Sequence, residues 1–193
     1  MDVGETPGLR ERKKIKTRET IRREALRLIE ENGYAQTTVE QIAEAAEVSP
    51  STFFRYFTNK EALLIPDQLM GPIIDAFVAA PAELRPVAAY KYALEQVFSA
   101  MASAEWGPEN RRQQLLYTLP EAAGALYNEY IHTIEQIAGA LAIRLNRDPE
   151  DLELQTTAGA MTGVFMMALH GRPMDPAIIF PALEFLDAGL PLQ

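Results

Sequence analysis

The chain is predicted to be all-α, with about nine helices: three of them form an N-terminal unit ahead of a larger helical body. Three observations carry this. Apolar residues recur at i, i+3, i+4 and i+7 in one segment after another. No segment after Lys60 shows the alternation of a half-buried strand. Prolines and glycines fall at intervals of helical length, where they start and stop helices.

Residues 1–9, with Gly4, Pro7 and Gly8 and few apolar groups, read as a disordered tail. Ile21, Ala25, Leu28 and Ile29 stripe a first helix from about Glu11 to Asn32, with Gly33 as its stop. Val39, Ile42, Ala43 and Ala46 gather on one face of a second helix of about two turns. Thr37 or Thr38 caps it, and Glu40 and Gln41 complete a capping box in either register. Glu47-Val48-Ser49-Pro50 then breaks the pattern, because Ser49 is a natural N-cap and Pro50 suits the first helical position but cannot continue a preceding helix. The third helix buries Phe53, Phe57 and part of Tyr56, and turns Ser51, Thr52, Phe54 and Arg55 outward.

Two short helices hinged at Val48-Ser49, behind a basic amphipathic segment, form the layout of a helix-turn-helix that reads DNA. Serine and threonine hydroxyls can bond base edges or phosphates, and an arginine can grip guanine or phosphate in bidentate fashion. Lys13, Lys14, Lys16 and Arg18 at the start of the first helix supply charge for phosphate contact. The net charge of −9 conceals an asymmetry: residues 1–60 carry 11 Lys+Arg against 10 Asp+Glu, and residues 61–193 carry 7 against 17. Arg10 to Arg27 alone holds 9 basic and 3 acidic residues. A basic end on an acidic body orients a molecule towards a phosphate backbone.

In the body, a fourth helix starts near Asn59 or Lys60 with Asn59 as cap, interrupted by Pro66 and again by Gly71-Pro72. Pro81 and Pro86 bracket a turn; Tyr90, Leu94, Val97 and Met101, with Phe98 alongside, stripe a fifth helix. Trp106-Gly107-Pro108 opens a sixth, which Pro120 ends. The seventh carries Leu126, Tyr130, Ile134, Ile137, Leu141 and Leu145 on one face and Tyr127, Ile131 and Ala138 on a second, so packing on two sides is expected. Asp148-Pro149 starts an eighth rich in small residues and methionine, closed by Gly171-Arg172-Pro173, and a ninth runs from about Pro176 to Ala188.

The N-terminal pattern resembles the TetR family of transcriptional regulators. The residues that carry the resemblance are Ala25 with Leu28 and Ile29, Gly33-Tyr34, Thr38-Val39, Ile42-Ala43, Ala46, Val48-Ser49, Thr52 to Phe57 and Lys60 to Leu63. The resemblance implies a homeodomain-like DNA-binding domain over residues 10–58 and a helical ligand-binding and dimerisation domain over 59–193. It implies double-stranded operator DNA as a partner, contacted through Lys13, Lys14, Lys16, Arg18, Thr37 and Thr38, then Ser49, Pro50, Ser51, Thr52, Phe54, Arg55, Tyr56 and Lys60. Phe54 stands where the family most often has tyrosine, which removes one hydroxyl from the DNA face and leaves the ring to contact DNA or to pack.

Methionine and aromatic residues tile adaptable apolar surfaces, and the prolines at 81, 86, 108 and 120 cut the body into short helices, so a mainly apolar cavity for a small hydrophobic effector is expected. Its candidate lining is Tyr90, Leu94, Phe98, Met101, Trp106 and Gln113, with Tyr117, Tyr127, Ile131, His132, Met161 and Phe165. Polar candidates are His132, Gln113, Asn128 and Thr162. Reading a palindrome requires a twofold axis. The small and apolar residues of the last two helices, Gly159, Gly163, Met166, Met167, His170, Ile179, Leu183 and Leu186, are the expected homodimer face. A looser similarity joins Arg111-Arg112 to Glu121, Leu145 to Leu152 and Leu186 to Leu190 to actinobacterial-type regulators of lipid or acyl-CoA-related pathways. It implies an elongated hydrophobic ligand, with Arg111 or Arg112 available for an anionic head group.

With no cysteines and only His132 and His170, neither a thiolate metal site nor a nucleophile-base pair assembles, and there is no glycine-rich phosphate loop. The expectation is a non-enzyme without cofactor, in a reducing cytoplasm and without a membrane span. His132 reads as a packing or pocket residue, and His170 as a helix C-terminal cation or dimer contact. The expected mechanism is repression relieved when a ligand shifts the fourth helix, with Pro66 and Pro72 marking its bend. The alternative is an all-helical lipid or acyl-CoA binding protein without sequence-specific DNA readout.

Overall fold

A computed structural model describes residues 8–65, 69–101, 103–170 and 172–191, those at 11, 103–106, 108 and 109 by backbone alone. Among the described residues there are nine α-helices and no strand. The chain divides into two compact units, Met1–Leu63 and Leu64–Gln193. The predicted tail falls almost wholly outside the described residues, as does Pro66.

In the first unit, α1 (Leu9–Asn32) stops at Gly33, whose φ of 84 is available to glycine without a Cβ clash. α2 (Val39–Ala45) starts at Thr38. Its hydroxyl accepts from the Gln41 N–H while the Gln41 side chain accepts from the Thr38 N–H, so the capping box uses the second of the two threonines. Replacing Thr38 with alanine should cost the unit about 1 kcal/mol, with serine recovering most of it; a denaturation midpoint indifferent to both changes would remove the capping argument. Glu47 takes the left-handed conformation, φ 54, in the turn to α3 (Pro50–Tyr56), and Ser49 caps α3 by accepting from the Thr52 N–H. The three helices close over Ile21, Ala25, Ile42, Ala43, Phe53, Phe57 and Leu63, all but excluded from solvent. Arg22 spans this core, donating its Nε–H to the Leu63 carbonyl at 3.1 Å.

A 3₁₀ turn over Glu61–Leu64 stands at the predicted start of the fourth helix, and Asn59 caps it by accepting from the Ala62 N–H. In the second unit α4 (Met70–Ala79) holds Gly71 and Pro72 within its first turn. The expected interruption at Gly71-Pro72 is therefore absent, since a proline there loses no helical hydrogen bond. α5 (Pro86–Ala100), α6 (Ser103–Thr118), a 3₁₀ turn at Pro120–Ala122 and α7 (Ala123–Leu145) follow. α7 ends on Asn146 in the left-handed conformation. α8 (Leu152–Leu169) starts later than Asp148-Pro149, because Asp148 closes a turn by accepting from the Glu150 N–H and Asp151 is the cap. α9 (Pro176–Asp187) is capped by Asp175.

α7 packs on α4, α6 and α8; α5 packs on α4 and α9; and α9 packs on α8. Their shared core holds Phe77, Tyr90, Leu94, Ile137, Leu141, Met161, Ile179 and Leu183. Phe77 meets Tyr90 edge to face at 5.4 Å, and Tyr90 meets Phe165 likewise at 6.0 Å. Arg144 donates to the carbonyls of Phe77, Val78, Ala80 and Pro81, satisfying the C-terminal end of α4. Of the predicted second face of α7 only Ala138 is buried, while Tyr127 is 65% and Ile131 41% exposed.

Candidate nucleic-acid interface and ligand cavity

In the first unit, burial of Phe53 and Phe57 fixes the rotation of α3 about its axis. Ser51, Phe54 and Arg55 are consequently exposed and Thr52 half-exposed. Ser49 links the hydroxyls at the start of the helix, lying 2.9 Å from the Ser51 hydroxyl and 3.0 Å from that of Thr52. Phe54, 54% exposed, stands edge-on to Phe53 at 5.4 Å, so the ring is braced from behind and open in front. Pro50 is exposed, Tyr56 is half-buried, and Arg55 lies over the Tyr56 ring at 5.5 Å. Lys13, Lys14 and Lys16 are exposed on α1. This gives a polar and cationic surface with one aromatic ring, suited to a groove.

Three predicted DNA-contact residues are instead bonded within the unit. The Arg18 guanidinium donates to the Tyr56 carbonyl at 3.2 Å and lies 4.7 Å over the Phe57 ring. Lys60 donates to the carbonyls of Tyr34 (2.6 Å) and Thr37 (2.9 Å), with its ammonium 3.9 Å from the Tyr34 ring centre. Thr37 is 1% exposed, its hydroxyl directed to the carbonyls of Leu28 and Gly33. Arg18 reaches the last carbonyl of α3 and Thr37 those at the end of α1, where carbonyls lack a helical partner, while Lys60 meets carbonyls of the turn between α1 and α2.

In the second unit a cavity of about 100 Å³ is walled by α4 to α8 and by Leu64, Leu69 and Met174. Of the predicted lining it takes Tyr90, Phe98, Gln113, Tyr117 and Phe165. Leu94 and Met161 lie in the closed core, and Met101 packs partly buried against it. Tyr127, Ile131 and His132 face outward, His132 with its Nδ1 3.7 Å from Glu135. Asn128 is exposed as well. The Trp106 side chain lies outside the described residues. The lining residues outside the predicted set include Leu64, Leu69, Met70 and Ile73 on the approach to α4 and its first turn, and Leu126, Glu129, Tyr130 and Thr133 on α7. The i, i+4 spacing of Leu69 and Ile73, and of Leu126 and Tyr130, was the available signal.

Gln113 is the polar anchor of the cavity wall. Its Nε2 donates to the carbonyls of Leu169 and Arg172 at 3.3 and 3.2 Å, which fixes the orientation of the amide. Its Oε1 is buried with no hydrogen-bond partner among the described residues. Tyr117 and Tyr130 are hydrogen-bonded hydroxyl to hydroxyl, and burial pushes both phenols up, so both stay protonated. Thr162, also in the lining, donates to the Ala158 carbonyl. Glu129 is the one charged residue among the described residues of the lining, none of which is lysine or arginine. Arg111 is exposed, and Arg112, 4% exposed, donates to the carbonyls of Leu64 and Ile65. Neither arginine is part of the lining.

Along α8 and α9, Met166, Met167 and Phe185 are 38%, 52% and 39% exposed. A Cβ on Gly159 or Gly163 would meet nothing within 4 Å, so both backbones are open to approach. His170 is exposed, with its ring edge-on to Tyr117 at 5.9 Å. Ile179 and Leu183, predicted for a dimer face, are fully buried in the core of their own chain, and Leu186 packs half-buried against it. Among the described residues no group of histidine, aspartate and glutamate is arranged to hold a metal ion, and no helix is long and apolar enough to cross a membrane.

Comparison with known proteins agrees with this division. Residues 21–65 match the family model of bacterial regulatory proteins, tetR family, and residues 84–191 match that of the MftR C-terminal domain. The chain is 39% identical over 153 residues to the HTH-type transcriptional regulator TcmR of Streptomyces glaucescens, covering 76% of this chain and 67% of TcmR. Among solved structures it resembles Thermus thermophilus FadR, a TetR-family transcriptional repressor in complex with lauroyl-CoA. That match has a TM-score of 0.56 and 23% identity, over 91% of this chain and 96% of FadR. NalD, the secondary repressor of the MexAB-OprM multidrug efflux pump in Pseudomonas aeruginosa, matches with a TM-score of 0.53 and 23% identity, over 92% and 97%.

Proposed function

The chain belongs to the TetR family of bacterial transcriptional regulators, and from that membership we propose that it represses transcription as a homodimer on a palindromic operator and is released by a small hydrophobic effector. The observation that carries DNA reading is the face of α3, where Ser51, Thr52, Phe54 and Arg55 look outward from a helix held by buried Phe53 and Phe57. Two such helices enter successive major grooves about 34 to 36 Å apart. Lys13, Lys14 and Lys16 add phosphate contacts that carry no sequence information.

Exposed Met166, Met167 and Phe185, beside the open backbones of Gly159 and Gly163, support a dimer face on α8 and α9. The mainly apolar cavity supports an effector. Leu64, Leu69, Met70 and Ile73 belong both to its wall and to the segment that leads from the first unit, so a ligand acts on the reader through that segment. This mechanism rests on a change in operator affinity; affinities unchanged by every ligand that fills the cavity would dispose of it.

A gel shift over a salt series, with operator selected from random duplexes, tests the reader. Arg55→Ala should weaken specific binding by about 1 to 3 kcal/mol and leave the subunit association unchanged. Lys14→Ala should weaken all sequences alike and reduce the log–log salt slope by about one. An all-helical lipid carrier would bind no duplex at any salt concentration.

A further inference from the structure

The reading of the cavity as an effector site leaves the effector's chemistry open, and the wall of the cavity narrows it. Resting on that reading, we propose that the effector is a compact, uncharged aromatic molecule carrying a hydroxyl or N–H that donates to Oε1 of Gln113. Gln113 is 6% exposed, both its amide hydrogens point at main-chain carbonyls, and Oε1 is left as an acceptor without a donor among the described residues. A buried acceptor in that condition carries an unmet desolvation cost, which a ligand donor removes and a ligand methyl does not.

Charge and size point the same way. Among the described residues of the lining Glu129 is the one carboxyl and none is a cation, so a carboxylate or phosphate has no counter-charge there. Tyr117 and Tyr130 are protonated and bonded to each other, so they offer a neutral polar edge. The rings of Tyr90, Phe98 and Phe165 form aromatic walls, and about 100 Å³ suits a molecule of one small ring better than an extended acyl chain.

Titration calorimetry of the full chain with phenol, toluene and benzoate tests this, since the three share a ring and differ in donor and charge. Phenol should bind about tenfold more tightly than toluene, and benzoate more weakly than either. In Gln113→Met the phenol preference should fall to parity while toluene still binds. Should that variant not fold, the phenol-to-toluene ratio on the unaltered chain decides alone. Equal binding of phenol and toluene overturns the donor inference but leaves the cavity as an effector site. Preference for benzoate overturns the neutral-ligand inference. Binding of none of the three overturns this inference together with the cavity reading beneath it.

Discussion

Phe53→Ala should abolish the cooperative melting of the N-terminal unit at physiological temperature, and DNA binding with it. Phe53 is wholly buried, flanked by Phe54 and Phe57 at ring distances of 5.4 and 5.7 Å. Truncating a buried phenylalanine costs about 3 to 5 kcal/mol. A unit of this size has a small core, so a loss of that order is comparable with its whole stability. Circular dichroism should show loss of the helicity assigned to α1–α3, with that of the C-terminal unit retained. Phe54→Ala is the informative partner experiment. Its ring is more than half exposed, so stability should change by no more than about 0.5 kcal/mol while operator affinity changes. A Phe53→Ala protein that melts with its parent would contradict the packing that orients the reading face.

Arg144→Met should destabilise the C-terminal unit by about 3 kcal/mol. One guanidinium serves four carbonyls, those of Phe77, Val78, Ala80 and Pro81, and covers the Phe77 ring at 5.5 Å. A methionine fills the volume but removes the guanidinium donor from all four carbonyls, of which those of Phe77 and Pro81 keep the N–H of Ala80 and of Leu84. Lysine restores the charge without the planar fork, so Arg144→Lys should recover only part of the loss. The measurement is the denaturant midpoint of the unit in all three proteins; equal midpoints for arginine and lysine would show that charge alone, and not the fork, holds the end of α4.

What the amino-acid pattern revealed and what it hid divide along a physical line. Caps and stripes are decided within four or five residues, so Ser49, Pro50, Phe53 and Phe57 could be placed from spacing alone, whereas the choice of Thr38 over Thr37 rests on the structure. Asp151, by contrast, was passed over for Asp148-Pro149, because two aspartates three residues apart offer equivalent caps until the turn between them is known. Cations were the hardest to assign. Arg18, Lys60 and Arg112 look like surface charge in one dimension, yet each finds main-chain carbonyls on a segment distant in sequence. Apolar residues on α9 had the converse ambiguity: Ile179 and Leu183 are as hydrophobic as Met166 and Met167, and only packing shows that the first pair is core and the second exposed. The same holds for the cavity, whose aromatic members were legible while Gln113 acquires its significance from two carbonyls more than fifty residues away.

The start of α4 has a consequence for time scale. α2, α3, α8 and α9 begin on a capping side chain, whereas α4 begins at Leu69 with no side-chain cap, and Gly71 and Pro72 follow. Its first backbone bond runs from the Ile73 N–H to the Leu69 carbonyl. If opening that turn costs about 1 kcal/mol, roughly one molecule in six has it open at any instant. Leu69, Met70 and Ile73 line the cavity, so an occupant that favours the closed turn by about 2 kcal/mol more would leave fewer than roughly one in a hundred open. The amide protons of Ile73 and its neighbours would then report occupancy as slowed exchange with solvent.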